Sequence, residues 1–230
     1  GRGFGGATAA NAPAAGTSSV VTCGTWGNGP AALGDWGRFG PGMMGNAGHP
    51  GAQGLNGGMW GMMASLGMLG SYSQADVPLA PSDVARRLAA FAASCGPDFH
   101  VANVTLFAND AYAQLSDGTG TRLGEVLVDR YTGLVVPEPG PNLLWNTRWG
   151  LAAGTLSPPR YDELAARELA ATFLASYLPG ATLRTGAALP GYDTFAYGRG
   201  QTIDGLLSVN TMTGAIWAHA WIGPALGGAE

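Results

Sequence analysis

The chain has 230 residues, 46% of them apolar, enough to build packed cores and to exclude a chain that is disordered throughout. Charged residues are only 11%, all the cations are Arg, and the net charge is −4 with no basic cluster, which argues against a nucleic-acid partner. No run of about eighteen apolar residues occurs, so no membrane-spanning helix is expected.

Residues 1–75 read as an irregular arm rich in Gly and Met. Glycine at that density costs backbone entropy and offers nothing to pack. The arm nevertheless carries Phe4, Trp26, Trp36, Phe39 and Trp60, which suits an irregular segment pinned against something else. Its Met43, Met44, Met59, Met62 and Met63, with His49, form the one soft-donor set of the chain. Thioethers suit Cu(I), so a copper site is one expectation; an adaptable docking surface is the other. Cys23 and Cys95 are the only cysteines and permit one bridge, worth roughly 4 kcal/mol in a chain-entropy account; two buried thiols are the alternative. The opening Gly1-Arg2-Gly3-Phe4, without Met, suggests a removed leader and export, or a trimmed start.

From Val77 the pattern becomes regular. Pro81-Ser82-Asp83 predicts a helix start capped by Ser82 or Asp83, with Val84, Leu88, Phe91 and Cys95 on one face and Gly96-Pro97 as the stop. Strands follow over 101–106, 111–115 and 123–129, with 116–120 as a turn. The glycines of 118–124 lack the Lys and the strand-then-helix setting of a phosphate loop. Asp129-Arg130-Tyr131-Thr132-Gly133 then joins two short β-branched runs as a hairpin.

Pro137 to Pro141 reads as a rigid break opening a linker, 137–155, whose Leu144, Trp145 and Trp149 are expected to dock between the two halves. A second helix is expected from Ser157-Pro158-Pro159, with Leu164, Leu169, Phe173, Leu174, Tyr177 and Leu178 as its apolar face. Strands follow near 181–185, 192–197, 205–209 and 215–221, and a frayed tail, 224–230, ends the chain. Asn210, Thr213 and Gly214 fall in register with Asp129, Thr132 and Gly133. Such a recurrence, each time after a helix, is the mark of a duplication. The fold expected is α+β: two tandem units, 76–136 and 156–223, each one helix on an antiparallel meander.

The order helix, meander, then Asp-x-x-Thr-Gly-x-Val at 129–135 resembles the PepSY family; the second copy departs with Asn210 and with Ala215-Ile216 after the glycine. The phrases Pro137-Glu138-Pro139-Gly140-Pro141-Asn142, Trp145-Asn146-Thr147 and Tyr177-Leu178-Pro179-Gly180 are similar to those of exported bacterial proteins with two such units. The resemblance implies a periplasmic or extracellular, non-enzymatic module that binds other proteins and brings no catalytic residues. The expectation is an accessory or structural subunit of a membrane-attached redox complex or surface assembly, membrane-associated through its partner, or one that self-assembles. A periplasmic Cu(I)-binding protein and a propeptide-like protease inhibitor are the alternatives.

Among other residues, His49, His100 and His219 have no zinc spacing, and each domain histidine is expected to be exposed or satisfied by backbone. Glu125, Asp129 and Glu138 near Arg130 and Arg148 read as turn residues and surface ion pairs, with no positioned His or nucleophile. Trp145, Trp149, Trp217 and Trp221 join Trp26, Trp36 and Trp60 as interface candidates, packing between the copies being the competing role.

Overall fold

The computed structural model describes residues 77–155 and 157–228; the arm and everything assigned to it lie outside them. The described chain is α+β with two antiparallel sheets. Helix α1 (Pro81–Cys95) precedes β1 (His100–Phe107), β2 (Asp110–Ser116), β3 (Arg122–Asp129) and β4 (Val135–Pro137). A short helix α2 (Pro141–Trp145) leads to α3 (Glu163–Tyr177), then β5 (Thr182–Leu189), β6 (Tyr192–Gly198), β7 (Gly205–Asn210), β8 (Ile216–Ala218) and β9 (Ala225–Gly228). The sheets run β4-β3-β2-β1-β9 and β5-β6-β7-β8, so each helix is followed by a four-strand meander.

The two hairpins are alike bond for bond. Asp129 accepts from the backbone N–H of Tyr131 (2.8 Å) and Thr132 (2.9 Å), and Asn210 accepts from Met212 (2.9 Å) and Thr213 (3.0 Å). Only a side-chain oxygen is needed, so Asp and Asn are equivalent here. Thr132 and Thr213 each accept from the residue two ahead at 3.2 Å. Gly133 and Gly214 sit at φ 72° and 75°, a region where a side chain is strained. Each turn also holds its own helix: Leu79 N donates to Arg130 O, and Arg160 N and Tyr161 N to Thr211 O. The β1–β2 and β5–β6 pairings both break register near the middle, between Ala102 and Thr105 and between Leu183 and Gly186.

Alternation along the strands builds layers. Ala111, Ala113, Leu115, Val126 and Val128 face α1 and close a core with Val84, Leu88, Phe91 and Ala92. Phe195, Tyr197, Leu207 and Val209 face α3 and close another with Ala166, Ala170 and Leu174. The opposite faces meet each other. Phe107, Tyr112, Leu127 and Val136 from the first half join Leu206, Trp217, Trp221 and Ile222 from the second in a third core, giving a helix, sheet, sheet, helix sequence of layers. The two copies are therefore fused through a common seam rather than set side by side.

Local expectations changed in five further places. Helix α1 begins at Pro81 with Ala80 at the cap position and no side-chain cap, because proline at the first turn needs no N–H partner. Helix α3 begins at Asp162, whose carboxylate accepts from Ala165 N at 2.9 Å, since residues 160 and 161 are committed to the hairpin. Its innermost face is Ala166, Ala170 and Leu174, while Leu164 is 66% and Tyr177 48% exposed: small side chains let the helix approach its sheet closely. The linker is not irregular throughout: α2 starts at the last proline of the break. The tail pairs with β1 as β9, Phe107 opposite Ala225, so the last strand of the chain closes the edge of the first sheet.

The hairpin geometry predicts that Asn210→Asp leaves stability within about 0.5 kcal/mol, whereas Asn210→Ala, which strands two backbone donors, costs about 1–2 kcal/mol. Urea unfolding of the two variants measures the difference.

Candidate functional site

Candidate sites fall into two kinds, closed and open. The closed one is the seam. Glu125 on β3 and Glu138 just after β4 are both fully buried, against the surface role expected of them. The Glu138 carboxylate accepts from Gly140 N (2.8 Å) and Asn142 N (2.7 Å), which folds the start of α2 around it. Glycine is required at 140 because a Cβ would lie 2.7 Å from Glu138 Oε1 and 2.9 Å from the Trp221 ring. Asn142 Oδ1 in turn accepts from Glu125 N (3.2 Å), Tyr192 Oη (3.1 Å) and Asn146 Nδ2 (3.0 Å). Glu125 accepts from the hydroxyls of Tyr112 and Tyr192, one from each sheet.

Beside Glu138 lies His219, buried and bonded to a side chain. Its Nε2 is 2.8 Å from Ser208 Oγ, and its Nδ1 is 3.6 Å from Glu138 Oε1; Thr194 Oγ1 is 2.7 Å from the same serine. Hydroxyl, imidazole and carboxylate thus stand in a row, the order used by acyl-transfer enzymes. Here the row is sealed. Ser208 and Glu138 are 0% exposed, and neither groove described below is lined by Ser208, His219 or Glu138.

Burial sets the protonation of the seam. Desolvation pushes Glu125 up to about 7, its hydroxyl partners opposing. Glu138 moves well above the carboxylate range, first by desolvation and then by the Glu125 charge. His219 is driven down to about 3 by desolvation alone. On the outer part of the same face Asp110 rises to about 8 through burial and the neighbouring Asp129. Neutral acids with a neutral imidazole are the state the seam favours.

The tryptophans expected as interface candidates divide. Trp145, Trp217 and Trp221 pack in the seam, Trp217 edge-on to both of the others at 6.0 Å, which is the role between copies. Trp149 packs on the first core beside Phe99 and under Arg148. Trp26, Trp36, Trp60, the soft-donor set Met43, Met44, His49, Met59, Met62 and Met63, and Cys23 lie outside the described residues; the bridge to Cys95 and the copper site stay proposals. Among the described residues no three His, Cys, Asp or Glu side chains are grouped to hold a metal, and no helix is long and apolar enough to cross a membrane.

The open places are two grooves on the second copy. One, about 570 Å³, lies between the end of α3 and the β6–β7 loop, lined by Tyr177, Leu178, Tyr197, Ile203 and Pro224. The other, about 260 Å³, lies at the start of α3 under Asp162, Glu163 and Asp193.

No family model matches the sequence, and no curated protein matches it. Among solved structures, the chain aligns with the Bacillus megaterium YpeB C-terminal domain at 9% identity and a TM-score of 0.24, covering 62% of this chain and 63% of that one. Overlap that slight leaves the fold to stand on its own strands and cores.

The seam fixes a direction for stability against pH. Glu125 and Asp110 have raised folded values, so their stabilisation is complete below their unfolded values of 4.5 and 3.8 and is lost as pH rises through about 7 and 8. His219 is depressed and acts oppositely, losing stability as pH falls from 6.5 toward about 3. Above pH 6.5 only the acids titrate, so the melting temperature should fall between pH 6.5 and 8.5. Asp110→Asn should flatten most of that limb and Glu125→Gln only its start, below about pH 7, and thermal melts across this interval check it.

Proposed function

We propose that the chain is an extracytoplasmic, non-enzymatic protein-binding module of PepSY type, an accessory or structural subunit of a larger assembly, the redox complex of a membrane being one such setting. The observation that carries this reading is the placement of its chemistry. The acid, imidazole and hydroxyl groups that could react with a substrate are inside the seam. Large apolar side chains also face solvent: Leu164, Tyr177 and Leu226 are 66%, 48% and 57% exposed, and Tyr177 lines the larger groove. Surface of that kind is suited to a protein partner. The arm would add contact area, and the Asp/Asn-Thr-Gly hairpins, occurring twice, would hold the scaffold rigid beneath it.

Two measurements bear on this. A fluorophosphonate, which labels activated serines, should leave Ser208 unmodified in the folded protein; labelling that Ser208→Ala abolishes would make the row a working nucleophile and end the reading. In pull-downs from native membranes, the full chain should retain a defined partner. Removing residues 1–75 should weaken that retention, and Tyr177→Asp with Leu226→Asp should weaken it further. A partner held equally by all forms would put the contact elsewhere.

A further inference from the structure

The groove at the start of α3 holds a charge arrangement that nothing else in the described chain explains. Asp193 on β6 projects toward the helix side of its sheet, below Asp162 and Glu163 of the first turn of α3. It is 3% exposed, its Oδ2 has no hydrogen-bond partner, and no arginine pairs with it among the described residues. A buried carboxylate oxygen left without a donor is costly, on the order of 1–3 kcal/mol. Its nearest charges are both negative: Glu163 and Asp162 add to desolvation in raising it to about 6. Three acidic side chains thus surround one hollow.

The duplication provides the control. Pairing β6 with Asn210 and β2 with Asp129 brings Asp193 into register with Ala111, which in the first copy lies in the apolar core under α1. The same strand position is thus filled by a methyl group in one copy and by an unpaired carboxylate facing a cavity in the other. The fold does not need a carboxylate there. The rest of the hollow is mixed: Leu189 and Met212 line it beside the Tyr161 ring and the hydroxyls of Thr147 and Ser157.

We infer that this groove is a receptor for a guanidinium side chain, an arginine presented by a protein partner, with Asp193 at the base and Glu163 at the rim accepting its N–H groups. The planar fork of Arg carries donors enough for two carboxylates at once, and its alkyl stem matches the Leu189 and Met212 wall. A hollow of about 260 Å³ admits a single large side chain with water but no folded segment. A bare divalent ion fits less well, since the carboxylates do not form a ligating group of three. The inference takes its biological role from the binding reading above and its chemistry from the groove alone.

Calorimetric titration of the full-length protein at low salt and pH 7.5 tests it, using acetyl-Gly-Arg-Gly-amide, the isosteric citrulline peptide, and agmatine. The arginine peptide should bind saturably and the citrulline peptide should not. Asp193→Asn and Glu163→Gln should each weaken the arginine peptide roughly tenfold or more. Should Asp193→Asn lower the melting temperature, Glu163→Gln, on an exposed turn, still decides. Equal binding of the arginine and citrulline peptides, no saturable binding of either, or unchanged affinity in both variants overturns the inference. Agmatine binding without peptide binding overturns the protein source in favour of a free amine. The membrane pull-down separates the two levels: a partner retained while the arginine peptide fails sinks only the groove, and no retained partner sinks the binding reading whatever the peptide does.

Discussion

A single buried carboxylate, Glu138, determines how the two halves of this chain are joined. Placing that group away from water is tolerable only because Gly140 and Asn142 turn their backbone N–H groups onto it, and that turn is what creates α2. From α2 the bonding spreads to both sheets, through Asn142 to Glu125 and Tyr192 and through Asn146 to the carbonyl of Leu123. Every partner is satisfied only when both sheets are in place. Separating the halves would expose the aromatic core and strand several buried polar groups at once, so the seam makes two small units behave as one cooperative structure.

The seam also encloses the chain's most reactive-looking row. A hydroxyl beside an imidazole beside a carboxylate is a constellation that invites a catalytic reading, and the distances of 2.8 and 3.6 Å are not far from a working one. Catalysis also requires an approach for the substrate and donors aimed at a developing charge. Trp217 and Trp221 occupy the space where an approach would be, and they pack on Leu127 and Leu206 as ordinary core. Ser208 bonds both Thr194 and His219 Nε2 inside this core, while His219 Nδ1 is left without a hydrogen-bond partner.

How much of this could be read from residues alone depends on the range of the interaction. The hairpins were legible because Asp129 or Asn210, Thr132 or Thr213, and Gly133 or Gly214 are demanded by bonds spanning two to four residues, and the α1 stripe of Val84, Leu88 and Phe91 follows from local periodicity. The seam was not, because Tyr192 reaches Glu125 across 67 positions and Glu125 has no local pattern marking it as buried. Glu125 was read as a turn or surface ion-pair residue, yet it stands, like Ser208, in a strand whose two faces are covered, one by a helix and one by the other sheet. A signal was present: a polar residue inside Leu-Gly-Glu-Val-Leu-Val and inside Leu-Leu-Ser-Val interrupts an otherwise apolar run. The arm of α3 misled for a related reason, since its large side chains suggested the buried face and its alanines supplied it.

Duplication gives the final step. Where the copies agree, at the two hairpins and the broken register of β1 and β5, the residues answer to backbone geometry, and either copy would fold the same way. Elsewhere they differ. Equivalent positions on the two seam faces carry Tyr112 and Thr194, Leu127 and Ser208, and Glu125 and Leu206, so the faces that meet are not copies of one another. On the helix side too the copies diverge, and the second has Asp193, lining the groove at the start of α3, where the first has Ala111 in its core.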